Sequence, residues 1–372
     1  MTDTAPLDVT ETLALAGTAL GASLSGAVIL GGAQRSLVLR CTAPDGATLV
    51  VKRFEADADG RERFAREHVG LTTLTRTPDL LGVDATHEVL VMSDLGPGPT
   101  LADLLLGSDR EAAWAGALDW AEALGTLLAG ARDRVPEVES RLAAAGIEVW
   151  DAEQVVRDGL ARLGALVPGI DERSLVEDLV PLSEVLAVRG SDSARRALAV
   201  SPGDTCPDNA VRTSEGWRFL DLEGTSTHHP ALDAAYLALP FATCWCVFDP
   251  PAGLTDAMLA RFTAALAPAY PDVVAEPGWS RAVDLACAGW ILAATTWLAP
   301  GALADRQSTG PSDRPSPTFR QLLTSRWRWG AAHLAGTTPS LAAAFARAAG
   351  WAEDEWGTPA TTPAPYAAFT GP

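Results

Sequence analysis

The hydrophobic pattern of this chain changes period once, near residue 94. After a short helical stretch at 10–24, the apolar positions gather in runs rich in Val, Leu and Ile at 25–30, 36–41 and 48–54, which predicts strands. Pro44-Asp45-Gly46 joins the second run to the third and predicts a hairpin turn. A helical period over 57–75 and a short apolar run over 88–92 follow, so the expectation is a small antiparallel sheet with one helix. Ser93-Asp94-Leu95-Gly96-Pro97-Gly98 then interrupts every regular pattern, because glycine and proline punctuate helices and strands alike. Beyond it, helical periods recur at 110–132, 152–166, 175–188, 254–270, 279–298 and 318–334. One non-helical island, 198–227, lies among them, and the polar stretches 305–317 and 357–372 read as mobile loops. The pattern predicts an α+β chain: a sheet-rich lobe at 1–93, a mainly helical lobe at 94–356 and a flexible tail at 357–372.

Length agrees with two lobes, since 372 residues exceed the size at which one core keeps growing. With 48% apolar and 20% charged residues, disorder is excluded for most of the chain. The 28 basic against 47 acidic residues leave a net charge of -19, which repels nucleic-acid phosphates and anionic membrane surfaces; neither is an expected partner. The five cysteines are an odd, scattered set, so no disulfide framework is expected. Residues 1–10 carry Asp3 and Asp8 but no Lys or Arg, which is not the flank of a signal peptide and predicts a cytoplasmic protein. The uncharged stretch 285–304 approaches the length of a membrane span, but Gly289, Thr295, Thr296 and Pro300 favour a buried core helix.

Two singletons stand out: Lys52 is the only lysine and Asn209 the only asparagine. In the run 48–54 the strand period puts Lys52 on one face with Val50 and Phe54. A charge on an apolar face needs an anionic partner. The helical period over 57–75 offers Glu67, on a stripe with Phe64, His68, Leu71 and Leu74. Within the island, a hairpin around Ser214-Glu215-Gly216 brings Asn209 and Asp221 to its open end. An amide oxygen and a carboxylate make a hard-oxygen site suited to Mg²⁺. Asp204, five residues before Asn209, would lie beside that metal and accept a hydroxyl proton. Glu223 reads either as a further metal ligand or as half of a surface ion pair.

The series Lys52, Glu67, Met92-Ser93-Asp94-Leu95-Gly96, Gly203-Asp204-x-x-x-x-Asn209, Asp221-x-Glu223 and Pro230-x-x-Asp233 resembles the aminoglycoside phosphotransferase and choline kinase-like family, over about residues 13–298. The resemblance implies a bilobal protein kinase-like fold and a small-molecule phosphotransferase. It implies ATP or GTP in a cleft with its base against Met92, Ser93, Asp94 and Leu95, Lys52 on the phosphates, and Gly32 and Gln34 in the turn that covers them. It further implies Asp204 as base, Asn209 and Asp221 as magnesium ligands, and Asp233 as a brace for the catalytic loop. The acceptor would be a hydroxyl of an aminoglycoside, another antibiotic, a sugar or an amino alcohol. This chain departs from the family at Pro202 and Cys206, where histidines are usual. That departure motivates the alternative of a kinase-like binding module with weak or no turnover.

Rival chemistries fit less well. Cys206, His228, His229, Cys244 and Cys246 follow no closed zinc spacing and read as packing. Arg326-Trp327-Arg328-Trp329 would point in four directions on a helix. No Gly-x-Ser-x-Gly elbow or complete Gly-x-Gly-x-x-Gly occurs, against a serine hydrolase or a dinucleotide dehydrogenase. Acidic residues such as Glu137, Glu139, Asp171, Glu172, Glu177 and Asp178 suit a cationic acceptor but read first as solvated helix faces.

Overall fold

The structure is a computed structural model that describes residues 7–31, 36–148, 152–187, 195–242 and 244–370. Helix α1 (Val9–Leu20) opens on Asp8, whose carboxylate accepts the Glu11 N–H at 2.8 Å. Strands β1 (Ser25–Gly31), β2 (Ser36–Thr42) and β3 (Thr48–Phe54) follow, then helix α2 (Ala58–Thr73) and strands β4 (Leu80–Asp84) and β5 (Val89–Ser93). The five strands form one antiparallel sheet in the order β1-β2-β3-β5-β4.

Alternation sorts this sheet into two faces. Leu37, Leu39, Cys41, Leu49, Val51, Val89 and Val91 pack with Ala16 of α1 in a core of their own. Val50, Lys52, Phe54, Leu90 and Met92 are therefore on the opposite face. The leading helix expected at 10–24 is formed and packs on the sheet together with α2 on its other face. The strand β4 was not anticipated; its apolar stretch is short and carries Gly82.

Helix α2 is capped by Asp57, which accepts the Gly60 N–H at 2.7 Å. Phe64, Glu67, Leu71 and Leu74 are buried as the stripe predicts, with Phe64 edge-on to Phe54 at 6.2 Å. Arg66 lies off that stripe. It is buried rather than solvated, pairs with Glu62 at 2.7 Å and donates to the carbonyls of Thr225 at 3.0 Å and Glu148 at 3.2 Å. Gly70 lets α2 press on the 222–225 segment, for an added Cβ would meet Thr225 Oγ1 at 2.4 Å.

Past the linker come α3 (Leu101–Leu106), α4 (Arg110–Gly130), α5 (Val135–Ala144), α6 (Ala152–Leu166), α7 (Val176–Leu179) and α8 (Ser183–Leu186). The single helix expected over 175–188 is broken at Pro181, which lacks the N–H that continuation needs. The island holds four short strands: β6 (Ala199–Ser201) pairs with β9 (Ser226–His228), and β7 (Ala210–Thr213) with β8 (Gly216–Phe219). Helices α9 (Ala231–Ala238), α10 (Leu254–Leu266), α11 (Gly278–Leu303), α12 (Phe319–His333), α13 (Pro339–Trp356) and α14 (Thr358–Thr361) complete the described chain. Helix α11 is long and apolar enough to cross a membrane, but most of its apolar window is buried inside the protein. The segment read as a flexible tail instead packs: Tyr366 is 1% exposed against Phe248, and Asp249 exchanges backbone hydrogen bonds with Ala364 and Tyr366.

Helices α6 and α11 meet backbone to backbone at Gly159, where an added Cβ would lie 2.1 Å from the Leu292 carbonyl oxygen. Gly159→Ala is expected to lower stability by about 1–3 kcal/mol through overpacking, measured by denaturant unfolding.

Candidate active site

The strand period places Lys52 Nζ where three carboxylates converge: Glu67 of α2 at 2.6 Å, Asp221 at 2.5 Å and Glu223 at 3.3 Å. The ammonium also lies 4.9 Å from the centre of the Phe54 ring. Lys52 and Glu67 are 6% and 2% exposed. Burial alone would pull the lysine pKa down, but the three carboxylates outweigh it and hold the ammonium charged. Burial pushes the Glu67 carboxyl up, while Lys52 pulls it down. Glu223 is shared with Arg63 of α2, so it serves as both a member of the cluster and half of an ion pair.

The hairpin supplies the opposite wall. Its open end is closed by the Leu220 N–H on the Asn209 carbonyl at 2.8 Å, which brings the single asparagine beside Asp221. Asp221 has a φ of 55°, a left-handed conformation that non-glycine residues reach mainly as Asp or Asn. The linker runs against the same hairpin: Arg212 N–H donates to the Pro99 carbonyl at 2.9 Å. Only glycine fits at position 98, since a Cβ there would lie 2.2 Å from the Arg212 carbonyl oxygen.

The loop that carries Asp204 has its own brace next to Pro202. Ser201 Oγ donates to Asp233 at 2.7 Å and accepts the Gly203 N–H at 3.0 Å. His228 Nε2 holds the other Asp233 oxygen at 2.8 Å. The part Ser201 and His228 play in this brace escaped the sequence reading because its signal is a strand pairing, β6 with β9, between residues far apart in the chain. Gly203 adopts a φ of 82°, and a Cβ on it would lie 2.1 Å from the Gly224 carbonyl oxygen. This glycine contact lets the loop bearing Asp204 lie directly on the segment bearing Asp221.

Asp204 is open to solvent at one side yet set among protein atoms, with its Oδ1 accepting the Cys206 N–H at 3.3 Å. Desolvation and the nearby Asp221 and Asp208 push its carboxyl up to about 6. Such a group is charged at neutral pH and still close enough to it to exchange protons, the property a general base needs.

These walls enclose a cleft of about 450 Å³ lined by Lys52, Glu67, Met92, Ser93, Asp94, Leu95, Asn209 and Asp221. Two linker side chains are already committed. Arg40 grips Asp94 with bonds of 2.7 and 3.1 Å and, with the Gly96 N–H, holds its carboxyl below the usual range against the opposing effect of burial. Ser93 Oγ accepts the Asp79 N–H at 2.9 Å. Gly32 and Gln34 lie outside the described residues. For a divalent cation the donor set fits: Glu67, Asp221 and Glu223 each present an oxygen within 4.8 Å of the others. Such all-oxygen, anionic surroundings suit a hard ion.

The fold that positions this cleft is shared with solved structures of low sequence identity. The GDP complex of wild-type aminoglycoside 2'-phosphotransferase-IIIa superposes with a TM-score of 0.51 at 14% identity, covering 91% of this chain and 99% of that one. The chain has the protein-kinase-like fold. A choline/ethanolamine kinase family protein from Mesorhizobium loti gives a TM-score of 0.50 at 16% identity, covering 87% of this chain and 92% of that one. No protein-family model matches the chain, and no curated protein matches it.

The raised Asp204 pKa has a consequence for stability. From an ordinary value of 3.8 in the unfolded chain to about 6 in the folded one, the native state keeps a proton that the unfolded state releases. Its contribution to stability is therefore present below pH 4 and lost as pH rises through 6. Asp204→Asn, neutral throughout, is expected to raise Tm at pH 7.5, with the gain vanishing below pH 4. An equal or lower Tm at pH 7.5 would contradict the assigned environment.

Proposed function

We propose that the protein transfers the γ-phosphoryl group of ATP or GTP to a hydroxyl of a small molecule. The observation that carries this reading is the meeting of Lys52 with Glu67 and Asp221, at 2.6 and 2.5 Å, in a cleft closed by the linker. A strand ammonium tied to a helix carboxylate is what binding of polyphosphate oxygens requires, and the fold supports the assignment. The nucleotide base would lie against Met92, Leu95 and the linker backbone, since the Ser93 and Asp94 side chains are otherwise engaged. Lys52 would give up its bond to Asp221 to contact phosphate while Glu67 keeps it in place.

Asn209 and Asp221, with Glu223 beside them, would hold Mg²⁺. When bound, the ion neutralises charge on the phosphate oxygens. Asp204 would orient the acceptor and take its hydroxyl proton as the oxygen–phosphorus bond forms and the bond to the leaving diphosphate oxygen breaks. Catalysis here is mostly positioning, so the Ser201–Asp233–His228 brace acts through Asp204 rather than on substrate.

Several acidic groups considered for a cationic acceptor are engaged locally. Glu137 pairs with Arg134 and Glu139 with Arg195, at 2.6 and 3.1 Å. Asp171 caps a short helical turn, and Asp178 accepts the Leu341 N–H at 2.9 Å. They give no preference for an amine, and the acceptor class stays a small-molecule hydroxyl.

Two expected outcomes test the reading. Phosphate transfer from ATP and GTP to a panel of aminoglycosides, macrolides, sugars and amino alcohols should find an acceptor; nucleotide binding without transfer to any of them would favour a binding module instead. Against that acceptor, Asp204→Ala should abolish turnover and leave nucleotide affinity within about tenfold. The wild-type kcat/KM should fall as pH drops below about 6, the pH at which Asp204 takes up a proton.

A further inference from the structure

Beside the cleft, and unused by this chemistry, the fold gathers three of the five cysteines around one carboxylate. Cys206 belongs to the Asp204 loop, and Cys244 and Cys246 to the turn after α9; all three are buried. The Cys206 and Cys244 sulfurs and an Asp208 oxygen lie within 4.8 Å of one another. Cys244 Sγ is 3.8 Å from Asp208 Oδ1 and 3.1 Å from Cys246 Sγ. In a tetrahedral site with metal–sulfur bonds of about 2.3 Å, adjacent sulfurs stand roughly 3.8 Å apart. Shifts within about an ångström bring the Cys206, Cys244 and Asp208 atoms to that geometry.

Two features outside the cluster point the same way. The other Asp208 oxygen accepts the Trp245 indole N–H at 2.6 Å, which turns Oδ1 toward the sulfurs as the outer partners of metal ligands do. Arg326 is 2% exposed and donates to the carbonyls of Pro240, Phe241 and Ala242, at 2.9, 3.1 and 3.1 Å. It has no carboxylate partner among the described residues. A buried cation without an anion is costly, and the carbonyls that hold it, the last at Ala242, come shortly before the 244–246 turn. Two thiolates and a carboxylate on a divalent ion carry a net charge of about -1, which compensates the guanidinium. Asp208 also lines the cleft, so an ion has a way in.

We infer that Cys206, Cys244 and Asp208, with a water completing the set, bind a thiophilic divalent cation of the zinc class that clips the Asp204 loop to the 244–246 turn. Binding releases one proton from each ligating thiol to solvent. On this proposal these cysteines do more than pack. Their spacing in sequence is irregular because the site is assembled from a loop and a turn 36 residues apart.

The test uses the full chain, reduced, stripped with chelator and titrated with Co²⁺. One equivalent should produce the intense near-ultraviolet thiolate-to-cobalt absorption of a tetrahedral site, and Zn²⁺ should displace it. Cys244→Ser should abolish the band, whereas Cys41→Ser, in the separate core under α1, should keep it. Trp245→Phe, which removes the indole donor and keeps an aromatic ring, should weaken Co²⁺ affinity by about 10- to 100-fold. Absence of the band in the wild-type protein overturns the proposal, as does its persistence in Cys244→Ser. Fewer than five free thiols in the unreduced, denatured chain would equally overturn it, since a disulfide would then explain the proximity.

Discussion

One buried ammonium holds the two halves of this molecule in register. Lys52 is inserted from the sheet into a cluster of three carboxylates, one from α2 and two from the segment after β8, at 2.5 to 3.3 Å. The cluster carries more negative than positive charge even after Arg63 is counted. An arrangement of that kind suits a further cation, and on the proposed function the Lys52–Asp221 contact would be exchanged for contacts to metal and phosphates. The compactness of an ammonium matters here. A guanidinium is planar and forked and would not point at three oxygens from different directions, which gives a physical reason for one lysine in a chain that otherwise uses arginine.

The rest of the architecture keeps those carboxylates in place. Gly203 and Gly224 let two backbone segments touch, so that burial, and after it the nearby Asp221 charge, raise the Asp204 pKa. Gly98 does the same for the linker and the hairpin, and Gly70 for α2 and the 222–225 segment. Arg66 adds direct bonds from α2 to the carbonyls of Glu148 and Thr225. The ionised Asp204 is held at some expense to the fold above pH 6, a common trade at sites built for proton transfer.

Much of this was legible in the sequence where a local period or turn settles the geometry. Alternation put Lys52 on the cleft face, the helical stripe turned Glu67 inward, and the hairpin length joined Asn209 to Asp221. Features set by long-range packing were not. Nothing local marks Ser201 and His228 as a brace, Arg66 as buried, or the chain end as packed through Tyr366. The cysteine cluster belongs to the same class, since its members come from the Asp204 loop and from the turn after α9, far apart in the chain. Pro181 is the reverse case, a local breaker that the apolar periodicity around it obscured.

Because Lys52 is the only lysine, lysine-specific isotope labelling reports this interaction as a single NMR signal. The ammonium is expected to remain protonated well above pH 10.5, the ordinary lysine value, and its resonance to move on addition of Mg·ATP. Titration at or below that value, or a resonance indifferent to saturating nucleotide, would contradict a buried ammonium at the centre of a phosphate-binding cleft.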